Sequence, residues 1–116
     1  MKVGLAALLL ILPAGCTREK RPEGILSRED MVRVLTEVYL TEEKVQRLGV
    51  RPDSSVKVFE RMRPKIFEKT RIPDSVFHRS MQYYMQRPKD LEAIYSVLVD
   101  SLNLMEQRTP LATDEK

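Results

Sequence analysis

The chain has 116 residues, a length that allows one domain at most. Of these residues, 42% are hydrophobic and 32% are charged, which is the composition of a globular protein and not of a disordered chain. The formal net charge is only +3, and acidic residues interleave with basic ones along the chain, which argues against a nucleic-acid partner. With four glycines and no extended run of alternating β-branched residues, the sequence favours an all-α fold.

Residues 1–15 are predicted to be a secretory signal peptide. Lys2 gives a positive start, and residues 3–12 are almost purely apolar. A helix of ten residues rises about 15 Å, half of the roughly 30 Å hydrocarbon core, so this segment is too short to be a permanent span.

The end of this leader resembles the bacterial lipobox, in which small residues precede an acylated cysteine. Ala14, Gly15 and Cys16 match the pattern, whereas Pro13 stands where an aliphatic residue is usual. Cleavage by ordinary signal peptidase, a free thiol or an intermolecular disulfide are the alternatives, since no second cysteine exists. We predict that Cys16 is lipidated and anchors the chain to a membrane. By analogy with enterobacterial lipoproteins, Thr17 in place of Asp favours the outer membrane. Residues 17–24 alternate in charge and lack the acidic cluster associated with surface export in some bacteria, which favours the periplasmic face.

Four helices are predicted after this leader. Residues 16–26 are predicted to be a flexible tether, residues 27–107 a bundle of about four helices, and residues 108–116 a frayed tail. Ser27 is expected to cap the first helix, over residues 28–48, and Gly49 to end it. The inward apolar positions of this helix are Met31, Val34, Leu35, Val38, Val45 and Leu48.

Asp53 or Ser54 is predicted to cap the second helix, in which Pro64 predicts a kink or a split near residue 62. Its inward positions are Val56, Phe59, Met62, Ile66 and Phe67.

The third helix extends to about Gln86, and Pro88 suits the first position of the fourth. The inward positions of the third helix are Phe77, Met81, Tyr84 and Met85. Those of the fourth helix are Leu91, Ile94, Tyr95, Leu98, Leu102 and Met105. Because so small a domain has a limited core, some apolar stripes are expected to dock on a partner or a second copy.

No pattern of catalytic or metal-binding residues is evident. His78 is the only histidine, and the chain has no Gly-rich phosphate loop or nucleophile elbow. The acidic residues of the first helix predict a solvated face: Glu29, Asp30, Glu37, Glu42 and Glu43. We therefore predict no enzyme activity, no metal and no cofactor.

A basic stripe is the more informative charge feature. If the second helix runs through Pro64, four basic residues recur at four-residue steps: Lys57, Arg61, Lys65 and Lys69. They form either a solvated face or a contact for anionic lipid headgroups or an acidic partner. Tyr83, rotated about 100° from the inward Tyr84, is a second candidate contact.

Three short patterns resemble an uncharacterised lipoprotein family of Bacteroidota, domain of unknown function 4296. They are Met31 with Leu35, then Phe77, Ser80, Tyr83 and Tyr84, then Pro88, Ile94 and Tyr95. The resemblance implies a short helical lipoprotein of a Gram-negative bacterium and brings no known activity. We therefore expect an outer-membrane-anchored accessory or scaffold subunit of an envelope protein assembly. The alternative is a periplasmic chaperone or carrier that binds unfolded outer-membrane proteins or lipid.

Overall fold

A computed structural model describes residues 21–108, which form four helices and contain no strand. The helices are α1 (Arg28–Arg47), α2 (Pro52–Thr70), α3 (Asp74–Met85) and α4 (Pro88–Arg108). This arrangement confirms the predicted small all-α bundle. The predicted signal peptide, Cys16 and residues 109–116 lie outside the described residues.

Local signals set the ends of α1 as predicted. The Oγ of Ser27 accepts a hydrogen bond from the backbone N–H of Asp30 at 3.1 Å, which satisfies one of the donors that a helix start leaves unpaired. Arg47 is the last helical residue, and Gly49 follows with a φ of 63°, a conformation that glycine adopts without a steric cost.

The course of α2 differs from the prediction in two respects. Pro52 is already its first residue and Asp53 lies in its first turn, so the predicted cap at Asp53 or Ser54 is wrong. The helix also continues through Pro64, so of the two predicted alternatives, a kink or a split near residue 62, the split is wrong. Both Pro64 and Glu60 are exposed, and water can therefore bond the Glu60 carbonyl that loses its helical partner.

Helix α1 is the centre of the bundle and contacts each of the other three helices. One core cluster joins α1 to α3 and α4, and the other joins α1 to α2 and the loop after it. Their buried members are Met31, Leu35, Tyr84, Ile94 and Leu98 in the first cluster, and Val34, Ile66 and Ile72 in the second.

The two residues before Ser27 belong to the packed structure. Leu26 donates its backbone N–H to Ser80 Oγ at 2.9 Å and accepts a hydrogen bond from the Tyr84 hydroxyl at 2.6 Å. Ile25 and Leu26 are partly buried against the core. Although they fall within the tether predicted from sequence, the bonds to α3 hold this stretch in place.

The bundle has two different ends. Arg28 pairs with Asp90, so α1 and α4 begin at the same end, and Arg33 donates to the carbonyl of Thr70 at 3.0 Å, which brings the last turn of α2 there too. We call this the packed end; it comprises the first turns of α1 and α4 and the last turns of α2 and α3. The open end comprises the second halves of α1 and α4, the first half of α2 and the loop that joins α1 to α2.

Burial is concentrated away from the open end. Both buried residues of α4, Ile94 and Leu98, lie in its first half, and both buried residues of α2, Ile66 and Thr70, lie in its last third. Five residues that the periodicity places inward are exposed: Leu48, Val56 and Met105 at the open end, and Met85 and Tyr95 elsewhere. Helical spacing indicates the apolar side of a helix, whereas exposure also depends on which other elements of the fold lie beside it.

Candidate interaction surface

The predicted basic stripe on α2 is present over three of its four residues. Because α2 continues through Pro64, the four-residue spacing is maintained, and Lys57, Arg61 and Lys65 are all exposed. Within the described part of the chain, no carboxylate lies within ion-pair distance of these three side chains. They are available to a partner of opposite charge.

Lys69, the fourth predicted residue of the stripe, has a structural partner. Its Nζ lies 2.9 Å from Oε1 and 3.0 Å from Oε2 of Glu37 on α1. This ion pair links α1 to α2 and contributes about 0.2 to 1 kcal/mol, as exposed pairs do. Lys69 is therefore less available for binding than the prediction assumed.

Tyr83 is half-buried, and other side chains contact its ring. The ring packs edge-on against Tyr84 with centroids 5.1 Å apart, and the Arg87 guanidinium carbon lies 4.5 Å from its centroid. The aromatic pair and the cation–π contact hold Tyr83 within the α3 surface. Tyr83 is thus a less accessible contact than the sequence suggested.

The sequence predicts that some apolar stripes remain uncovered by the fold, but it does not locate them at the open end. Val56 is 62% exposed, and Val99 and Leu104 are about half exposed. The open-end patch consists of Leu48, Val50, Val56, Val99, Leu104 and Met105. A signal was present in α4, because Val97, Val99 and Leu104 lie outside its inward stripe and make the helix apolar on more than one side.

The buried polar side chains of the described residues make local hydrogen bonds. Thr36, Thr41 and Thr70 each donate to the carbonyl four residues earlier, and every buried polar side-chain atom in the described range has a partner. His78 is exposed, with Nε2 3.4 Å from Nε2 of Gln82. Residues 21–108 contain no group of three potential metal ligands.

Tyr84 is the titratable residue that the fold affects most clearly. Burial raises the pKa of its hydroxyl above the usual 10.0, whereas the positive charge of Arg21 acts in the opposite direction. The negative charge of an ionised Tyr83 acts with burial. The neutral hydroxyl is therefore the form that donates to Leu26.

We expect Tyr84 to make the bundle less stable as the pH rises above about 10. In this range the unfolded chain loses the Tyr84 proton while the folded chain still retains it, so rising pH favours unfolding until the folded-state pKa is passed. Urea unfolding at several values from about pH 8 to about pH 11 measures the effect. The Tyr84→Phe variant is the control, because it lacks only this hydroxyl. An identical alkaline decline in both would contradict the assignment to Tyr84.

No helix in the described part of the chain is long and apolar enough to cross a membrane. Neither the curated proteins nor the solved structures include a significant match to the chain. A family model, described as a domain of unknown function, matches residues 22–108. The matched range includes all four helices and Leu26, to which Ser80 and Tyr84 are hydrogen-bonded. The chain therefore belongs to the DUF4296 family.

Proposed function

We propose that the chain is a lipid-anchored, non-enzymatic helical module that binds another protein of a Gram-negative cell envelope, as an accessory or scaffold subunit. The observation that carries this proposal is the open-end patch. Soluble monomers rarely leave large apolar surfaces uncovered, and such surfaces commonly mark sites of protein interaction. A second protein covering this end would bury the apolar side chains that the four helices leave exposed.

The charges beside the patch indicate the kind of surface that fits it. Lys57 follows Val56 directly, and Arg61 lies one turn further along the exposed side of α2. An apolar contact flanked by acidic side chains would complement this arrangement, because interfaces combine an apolar centre with a charged rim. We therefore infer that the partner carries carboxylates beside an apolar area.

Acylation of Cys16 accounts for the leader and for the position of the only cysteine. One acyl chain gives marginal membrane binding, whereas two or three chains hold a protein stably. The proposed location is the periplasmic face of the outer membrane. Mass spectrometry of the native N-terminus tests this anchor, and an unmodified Cys16 would contradict it.

Photo-crosslinking in cells that produce the chain natively tests the binding proposal. A photoreactive amino acid at Val56 or Leu104 is expected to give one dominant, stoichiometric adduct with a second protein. The same amino acid at Ser75, which is exposed on α3 outside the open end, is the control and should not give that adduct. Equal crosslinking from all three positions, or no adduct from any, would contradict the proposal.

The same experiment separates the alternative function. A periplasmic chaperone or carrier would use the open-end patch to hold many unfolded chains or lipids, so Val56 and Leu104 would crosslink to a broad set of unrelated molecules. That result would replace the scaffold proposal with the carrier.

A further inference from the structure

Basic side chains from four separate segments meet at the packed end. Arg21, the first described residue, donates from Nε to the carbonyl of Ile25 at 2.9 Å. A terminal nitrogen of Arg79 lies 3.1 Å from the position that a Cβ on Gly24 would occupy, which places α3 beside the incoming chain. These contacts bring two arginines 58 residues apart in sequence to the same end of the bundle.

The starts of α1 and α4 add to this group. Arg28 pairs with Asp90, which places Lys89 beside the first turn of α1. Arg87, two residues before Lys89, lies over the ring of Tyr83. We call the five residues the packed-end cluster: Arg21, Arg28, Arg79, Arg87 and Lys89.

Acidic residues balance only part of this charge. Glu23, Glu29, Asp30, Glu68 and Asp90 are the carboxylates at this end, and Asp90 is already engaged by Arg28. The neighbouring Asp30 pairs with Arg33, at 2.7 Å, and the two cancel. Lys69, in the last turn of α2, pairs with Glu37, and these two charges also cancel. The five basic side chains of the packed-end cluster against the four other carboxylates leave this end with a small positive excess.

We propose that the packed-end cluster docks on the anionic headgroups of the membrane to which Cys16 anchors the chain. This inference rests on the proposed lipid anchor. The nine peptide steps from Cys16 to Ile25 span at most about 30 Å, so an anchored chain keeps this end close to the bilayer surface. Basic side chains close to a surface of anionic lipids are attracted to it, and the short tether makes the encounter effectively intramolecular.

The orientation that follows sets the open-end patch away from the membrane. α4 has 21 residues and begins at the packed end, so its last turn lies about 30 Å further from that end along the helix axis. A bilayer bound at the packed end therefore leaves Val99, Leu104 and the start of α2 accessible to a protein partner.

Vesicle co-sedimentation tests the docking without relying on acylation. The protein is residues 16–116 with Cys16→Ser, which retains every described residue and lacks the apolar leader. It is mixed at low ionic strength with one of two kinds of vesicle. The neutral vesicles contain phosphatidylcholine alone, and the anionic vesicles contain phosphatidylcholine with about one third phosphatidylglycerol. We expect binding to the anionic vesicles only, and that binding should weaken as salt is added.

Two charge-matched variants locate the binding face. Arg79→Glu with Lys89→Glu should weaken anionic-vesicle binding at least about tenfold, since two attractive charges become repulsive. Lys57→Glu with Arg61→Glu changes the net charge equally on α2 and should leave most of the binding intact. Circular dichroism verifies that both variants keep their helices.

Three results would overturn the docking proposal: no binding to anionic vesicles, equal binding to neutral ones, or a loss with the α2 pair as large as that with the packed-end pair. None of them bears on the anchor, because this protein carries no acyl chain. An unmodified native Cys16 would instead contradict the proposed anchor, whatever the vesicles show.

Discussion

Replacing Ile94 by alanine is expected to lower the free energy of unfolding by about 2 to 5 kcal/mol. Ile94 has no exposed surface and lies in the cluster formed by α1, α3 and α4, together with Met31 and Leu98. Alanine removes buried methyl and methylene groups and leaves a cavity that helices fixed on several sides fill only partly. Small domains have a total stability of about 5 to 15 kcal/mol, so this one change removes a large fraction of it. Urea unfolding followed by helical circular dichroism measures the loss.

Val97→Ala is the matched control for Ile94→Ala. Val97 lies on the same helix three residues away but is 52% exposed, so we expect its effect to stay within about 0.5 kcal/mol. The comparison separates core packing from the general helix preferences of aliphatic side chains. Similar losses for both variants would contradict the described packing of α4 on α1.

Replacing Ser80 by alanine is expected to lower the free energy of unfolding by about 1 to 3 kcal/mol. Ser80 is completely buried, accepts a hydrogen bond from the Leu26 N–H and donates to the Val76 carbonyl at 2.7 Å. Alanine leaves the Leu26 N–H without its acceptor, and an unpaired polar group in a protein interior is costly. Hydrogen exchange should show the Leu26 amide exchanging faster in the variant.

Ser96→Ala is the control for this change. Ser96 is exposed on α4, so the substitution removes the same hydroxyl from a place where water can replace it. It should change the free energy of unfolding by less than about 0.5 kcal/mol. An unchanged exchange rate at Leu26 in Ser80→Ala would show that the Ser80 bond does not protect this amide.

The features that could be predicted from sequence are those that depend on a few neighbouring residues. Ser27 caps α1 through a bond to a residue three positions later, and Pro88 starts α4 because the first residue of a helix needs no N–H partner. The inward positions of the packed end, such as Met31 and Ile94, also followed the helical period. These choices are local, and the rest of the fold does not override them.

The features that could not be predicted depend on contacts between distant residues. Glu37 and Lys69 are 32 residues apart. The four-residue spacing of the basic stripe on α2 therefore does not predict that Lys69 pairs with a carboxylate of α1. The bonds from Leu26 to Ser80 and Tyr84 span 54 and 58 residues. Val56 is exposed because no other helix of residues 21–108 packs over it. The periodicity of the sequence indicates only which side of α2 is apolar, and it does not predict which helix packs there.

The bonds on Leu26 also determine how the domain responds to mechanical force. Tension applied to the chain before residue 21 reaches Leu26 before it reaches α1, and there it meets the hydrogen bonds to Ser80 and Tyr84 on α3. The load therefore passes into the middle of the core instead of peeling α1 from its first turn. These two bonds therefore bear the load before the first turn of α1 does, and they protect the start of this helix from a pull on the chain before it.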